Sequence, residues 1–206
     1  MSLNKLTTES FPVMEHFYTI QGEGYWNGTA AYFIRLGGCD VGCSWCDVKE
    51  SWPMDGHNTL TISFLLGEIK KSGANHVVIT GGEPAMYDLQ NLVNDIAKMK
   101  IEVHIETSGV YAMEEDWHWI CLSPKKFKAP DAENHEKAHE LKVIVVNKTD
   151  FQFAEEHAAL VNANCKLFLQ PEWSKRDKMM PLIVEYVKEN PKWSISLQTH
   201  KYLNIP

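Results

Sequence analysis

Short apolar runs alternate along the chain with segments whose apolar residues recur every three or four positions. Ala30–Leu36 (AAYFIRL) has the branched and aromatic content of a buried strand, and Gly37-Gly38 ends it. Thr61–Ser72 places Ile62, Leu65, Leu66 and Ile69 at helical spacing, with Gly73 where a C-terminal cap belongs. His76–Thr80 (HVVIT) reads as a second strand, stopped by Gly81-Gly82, and Asp88–Lys100 returns to helical spacing through Leu89, Leu92, Ile96 and Met99. Ile101–Glu106 alternates apolar and polar as a strand does and ends at Thr107-Ser108-Gly109.

The alternation continues. Trp117–Leu122 is a fourth predicted strand, and a polar loop, Lys125–Glu140, leads to a fifth, Leu141–Val146. Asp150–Val161 is a predicted helix, Cys165–Gln170 a sixth strand, and Ser194–Thr199 a candidate last strand. Asp177–Lys188 is a further helix whose regular part is expected to begin at Pro181, with proline in the first turn. Strand–helix–strand order favours a parallel α/β sheet. A complete eight-fold barrel takes about 250 residues, and this chain has 206. The expectation is therefore one domain, residues 1–206, forming a shortened, incompletely closed (β/α) barrel. It would have about six mainly parallel strands and a reduced set of helices; a doubly wound sheet is the alternative. Gly37-Gly38-Cys39, Thr80–Pro84, Glu106–Gly109 and Ser123-Pro124-Lys125 all follow predicted strands, so in a parallel sheet they converge on one edge, where ligands bind.

Composition narrows the function classes. Apolar residues at 44% and charged residues at 23% are ordinary for a globular chain. A net charge of −7 argues against a nucleic-acid partner, which needs a concentrated basic face. No apolar run approaches the roughly 18 residues of a membrane span, and MSLNKLTTES lacks the apolar core of a secretory signal. A cytoplasmic protein without membrane contact is expected.

The five cysteines are an odd number, and Cys39, Cys43 and Cys46 crowd into a C-x3-C-x2-C loop containing Gly42. Such a loop has three readings: inert clustering, structural zinc, or an iron–sulfur centre. Structural zinc wants four protein ligands, and Asp40, Asp47 and His57 do not complete a usual spacing. Ferredoxin-type clusters also take four cysteines, so three thiolates would leave one iron of a [4Fe–4S] cube open for coordination. Cys121 and Cys165 lie in apolar segments and read as small hydrophobes.

The cysteine pattern, followed by Gly81-Gly82-Glu83-Pro84, resembles the radical S-adenosylmethionine superfamily. The segment Phe17–Gly24 (FYTIQGEG) and the terminal Gln198–Pro206 (QTHKYLNIP) resemble the 7-carboxy-7-deazaguanine synthase family within it. Glu106-Thr107-Ser108-Gly109, Ser123-Pro124-Lys125, Glu140-Leu141-Lys142 and Gln170-Pro171 extend that likeness over essentially the whole chain. The resemblance implies conversion of 6-carboxy-5,6,7,8-tetrahydropterin to 7-carboxy-7-deazaguanine with loss of ammonia, on the route to queuosine and other deazapurines. It implies a [4Fe–4S] cluster, S-adenosylmethionine and Mg²⁺ as cofactors, an electron donor such as flavodoxin, and a homodimer.

Site residues follow from the same likeness. Cys39, Cys43 and Cys46 would ligate the cluster. Trp45, Cys46, Asp47, Gly82, Glu83, Ser123, Pro124, Lys125 and Gln170 would line the cofactor pocket. Ile20, Gln21, Gly22, Arg35, Thr80 and the last residue, Pro206, would meet the pterin. Arg35 also has a physical rationale, since a guanidinium fork suits a carboxylate; a structural ion pair is the competing reading. For Mg²⁺ the family commonly uses Asp47 followed by a threonine, and here Val48 takes that place without a side-chain oxygen. A radical activase acting on a protein and a zinc-stabilised adaptor are the rival functions.

Overall fold

The chain enters its sheet through a strand that hydrophobic patterning does not predict. In the computed structural model, which describes residues 9–206, β1 spans Ser10–Ile20. Pro12, Glu15 and His16 break its apolar alternation, and its pairing slips between Val13 and Glu15, the mark of a bulge. The strands β2 (Ala30–Leu36), β3 (Asn58–Thr61), β4 (His76–Gly81), β5 (Glu102–Thr107) and β6 (Trp119–Leu122) follow, then β7 (Glu140–Val145), β8 (Lys166–Pro171) and β9 (Trp193–Ile195). All nine form one sheet in the order β3-β1-β2-β4-β5-β6-β7-β8-β9. From β2 to β9 every pairing is parallel, while β1 and β3 are added antiparallel at one side. β3 and β9 stand at opposite ends of that order, so the barrel is open, as expected; its nine strands exceed the expected six or so, and the antiparallel β1 and β3 are two of the additions.

Helices α1 (Ile62–Ser72), α2 (Gln90–Lys98), α3 (Glu133–Lys137), α4 (Thr149–Ala158), α5 (Arg176–Glu189) and α6 (Thr199–Leu203) complete the set. Thr61 caps α1 by accepting from the Phe64 amide at 3.3 Å, a cap worth about 1 kcal/mol. Gly73 ends α1 in the left-handed region at φ 69°. Two expectations need correction. α5 begins at Arg176, ahead of Pro181, which lies inside the helix; the amide bond that proline forgoes is offset by burial of Met179 and Ile183 on either side of it. The last strand stops at Ile195, because Ser196 turns its hydroxyl onto Gln170 and Thr199 binds the Gly22 carbonyl to start α6. No helix among the described residues is long and apolar enough to cross a membrane.

Strand alternation divides the sheet into two chemically different faces. Ile34, Leu36, Val77, Ile79, Val103 and Ile105 point outward and cluster with Leu65 and Ile69 of α1 and Leu92 and Ile96 of α2. Leu141, Val143, Val145 and Leu169 do the same with Ala154 of α4 and Met179 and Ile183 of α5. The intervening residues face inward, and many are polar: Arg35, Thr80, His104, Glu106, Glu140 and Lys142. A largely polar inner face lends the barrel little hydrophobic stabilisation, and it builds the site.

Candidate active site

At the C-terminal ends of the parallel strands the inner face opens into a cavity of about 370 Å³. The loop after β2 brings the free thiols of Cys39, Cys43 and Cys46 to it, with Trp45, Asp47 and Val48 between and beyond them. The loop is held by its backbone: the Gly38 amide donates to the Ser51 carbonyl at 2.7 Å and the Cys39 amide to Trp52 at 3.0 Å. Asp40 accepts from Tyr111 at 2.9 Å and from Lys128 at 2.6 Å. Burial pushes the Cys39 thiol up and the Cys43 thiol up to about 11. A metal reverses that preference, because a ligated thiol gives up its proton. Cys121 and Cys165 do not line this cavity.

The Gly81-Gly82-Glu83-Pro84 turn after β4 locks onto the same loop. The Gly82 amide donates to the Leu36 carbonyl at 3.0 Å and the Glu83 amide to the Gly38 carbonyl at 2.8 Å. A Cβ at Gly82 would lie 2.2 Å from the Gly38 carbonyl oxygen, so only glycine permits this approach. Glu83 is buried, and its carboxylate accepts from the Ala85 amide at 3.0 Å, the Ser108 amide at 2.9 Å and the hydroxyls of Thr107 and Ser108. Gly82→Ala is expected to lose about 2–3 kcal/mol in urea unfolding and to disrupt the cysteine loop. A variant within about 0.5 kcal/mol of wild type would mean that the two turns have room to part.

Deeper in the cavity lies a buried ion cluster. Lys142 of β7 donates to Glu23 at 2.5 Å and to Glu106 of β5 at 3.2 Å. Burial alone would pull its ammonium down, but Glu106, Glu23 and the other negative groups around it hold it well above its ordinary value. For Glu23, burial pushes upward, and the charge and hydrogen bond of Lys142, with help from Gln198 and Gln170, win and bring the carboxyl down to about 2. Gln21 donates to Glu106 at 2.8 Å, and Gln198 to Glu23 at the same distance. Just past the end of β6, which lies between β5 and β7, Lys125 donates to the Ser123 hydroxyl at 2.5 Å and lies 5.5 Å from the Trp45 ring centre, its ammonium pulled down by burial.

Of the residues picked from sequence, Ile20, Gln21, Gly22, Arg35, Thr80 and Pro206 all line the cavity. Gly82, Glu83, Ser123, Lys125 and Gln170 line it as well. Pro124 does not: Ser123 and Lys125 point inward, and the chain's alternation turns the residue between them away. Arg35 combines both of its readings, since Nε donates to Glu15, its partner across the β1–β2 pair, at 2.7 Å while the residue faces the cavity. The C-terminal segment is tied in by the Thr199 amide on the Gly22 carbonyl at 2.8 Å and by Lys201 on Asp47 at 2.7 Å. Glu23, Glu106, Lys142, Gln198, His200 and Lys201 also line the cavity and received no role from sequence. The available signal was a lysine inside an otherwise apolar strand, ELKVIV, where a charge needs a partner.

The three thiols fit a cluster with one open iron. Mg²⁺ fits less well: Asp47 offers one carboxylate, already paired with Lys201 and kept below its ordinary value by that contact despite burial, and Val48 offers no oxygen.

An open parallel barrel with three thiols and a buried G-G-E-P carboxylate at its strand ends defines a radical S-adenosylmethionine enzyme. The sequence model described as the Radical SAM superfamily matches residues 33–120, which include both motifs. The 7-carboxy-7-deazaguanine synthase of Flavobacterium psychrophilum is 59% identical over 198 residues, 96% of this chain and 94% of that protein. The enzyme of the same name from Synechocystis sp. is 44% identical, over 98% of this chain and 97% of its own. The crystal structure of QueE from Escherichia coli matches with a TM-score of 0.83 at 33% identity, covering 92% of this chain and 94% of that one. The chain belongs to the 7-carboxy-7-deazaguanine synthase family. That membership brings a [4Fe–4S] cluster and S-adenosylmethionine as cofactors and a small molecule as substrate.

Proposed function

We infer that this protein converts 6-carboxy-5,6,7,8-tetrahydropterin to 7-carboxy-7-deazaguanine with release of ammonia, a step of queuosine and deazapurine biosynthesis. One observation supports the reading most: the cysteine loop, the G-G-E-P turn, the Gln21–Glu23 segment and Pro206 line a single cavity. Cys39, Cys43 and Cys46 would hold the cluster, and Trp45, Asp47, Gly82, Ser123, Lys125 and Gln170 would line the S-adenosylmethionine site. When bound, these two groups supply the radical that starts the ring contraction.

The chain's own residues bind, orient and exclude water. The Glu83 carboxylate is occupied by four donors, so it braces the turn against β5 and leaves contact with a ligand amino group to the backbone. Glu106 and Gln21 offer acceptors and a donor to a pterin ring, and Ile20, Gly22, Thr80 and Pro206 bound its space. Arg35, steadied by Glu15, presents its remaining guanidinium nitrogens to the substrate carboxylate. Trp45, Trp173, Phe17 and Phe33 supply the apolar walls that exclude water. Mg²⁺, if used, would draw its other ligands from substrate and water around Asp47. The reductant is a small electron donor of the flavodoxin kind, and the protein works in the cytoplasm as a homodimeric, single-domain enzyme.

The test is anaerobic reconstitution with iron and sulfide, reduction, and incubation with S-adenosylmethionine and the pterin, with and without Mg²⁺. Deazapurine and ammonia are the expected products; a cluster-loaded protein that cleaves S-adenosylmethionine but forms no deazapurine would overturn the reading. Arg35→Ala should raise the KM for the pterin at least about tenfold, the loss of roughly one charged hydrogen bond, with less change for S-adenosylmethionine. Equal effects on both would remove Arg35 from the substrate site.

A further inference from the structure

At the opposite ends of the same strands, a second group of ligand-type side chains converges. His76 opens β4, and Glu102 opens β5 directly beside it in the parallel register. His104 follows two residues on, so its side chain returns to the same inward face. His76 Nδ1 lies 3.1 Å and His104 Nε2 3.6 Å from the same carboxylate oxygen, Glu102 Oε2. One ligand atom from each residue falls within 4.8 Å of the others.

Two features separate this cluster from an ordinary ion pair. His104 is buried, its side chain only 5% exposed, yet its Nε2 has no hydrogen-bond partner; neither has His76 Nδ1, despite its closeness to the carboxylate. Two imidazole nitrogens facing one oxygen without a proton aligned between them leave buried polar groups unsatisfied, which a cation would correct. The walls are aromatic: the Trp26 ring centre is 5.2 Å from that of His76 and 5.1 Å from that of His104, and Trp119 lies 6.5 Å from His104. Glu102 is half exposed and gives access from solvent.

We propose that His76, Glu102 and His104 form a second metal site, for a divalent transition ion of the zinc type. Two nitrogens and one oxygen suit zinc, cobalt or nickel rather than Mg²⁺, which takes oxygen ligands. Three protein ligands leave a position for water. The site is separate from the thiol-lined cavity, because His76 and Gly81 stand at opposite ends of β4, roughly 16 Å apart at the usual strand rise. A metal here staples β4 to β5 and stabilises the folded protein by mass action.

The test uses cluster-loaded holoenzyme, in which Cys39, Cys43 and Cys46 are already engaged, titrated with zinc chloride while cluster absorbance is monitored. Holoenzyme should retain one additional zinc per chain after desalting and unfold at a higher temperature with zinc than without. His76→Gln, at the less buried imidazole, and Glu102→Gln should weaken retention beyond the roughly 10–100-fold typical of losing an outer-shell partner, and abolish the thermal shift. Both variants should keep the wild-type unfolding temperature in chelator to within a few degrees. No zinc uptake at constant cluster absorbance, or equal uptake by wild type and both variants, would overturn the proposal.

Discussion

Cys43→Ala is expected to lose iron and turnover together while the chain stays folded. Cys43 is buried at the middle of the loop, and its amide-to-carbonyl turn with Cys46 (3.0 Å) sets the spacing of the three thiols. With two thiolates left, a four-iron cube has two corners without protein ligands, and iron should fall from about four atoms per chain to near zero. The structural penalty is small, about 1 kcal/mol for one buried sulfur replaced by a methyl group. Iron and sulfide analysis, circular dichroism and the deazapurine assay read the three effects separately. Wild-type iron content with full turnover would remove Cys43 from the ligand set.

Lys142→Met is expected to be the most damaging change away from the cysteines. The Lys142 side chain is 5% exposed, and its ammonium bridges the partly buried carboxylates of Glu23 and Glu106. Removing one partner of a buried ionic cluster costs about 3–5 kcal/mol, because the charges left behind lose their counter-ion and recover little of their hydration. The pH dependence carries the signature. In the wild type Glu23 sits at about 2 against an ordinary 4.5, so its ionised form stabilises the fold at neutral pH. That contribution drains away as pH falls below the ordinary value toward the folded one. In the variant, burial is opposed only by the hydrogen bonds of Gln198 and Gln170, without the charge of Lys142, so the Glu23 carboxyl rises and acidification costs the variant less than it costs the wild type. Urea unfolding at neutral and acidic pH should show a large deficit that narrows in acid. A loss under about 1 kcal/mol at neutral pH, or a deficit independent of pH, would mean that water screens the cluster.

Part of this site is legible without coordinates. The thiols of Cys39, Cys43 and Cys46 are close in space because they are close in sequence, and no tertiary rearrangement can separate them far. Gly82 is legible as a turn, although its reason, contact with the Gly38 carbonyl, is not. In the sequence Arg35 suits carboxylate binding and ion pairing equally. Its orientation depends on the β1–β2 register, and β1 is hidden by Pro12, Glu15 and the bulge.

The sequence by itself determined the order of the parallel strands and of the longer helices between them, the polar strand ends and the cysteine loop. All of these are written in spacing within a window of a few residues, where steric and hydrophobic periodicity act. Only the tertiary structure decided that Lys142 meets Glu23 across 119 positions of chain, and that Glu102 faces His76 and His104 on one side of the barrel. A buried charge or an unsatisfied imidazole is stable or unstable according to what the fold sets against it. That partner is fixed by strand register and barrel curvature, which have no local signature.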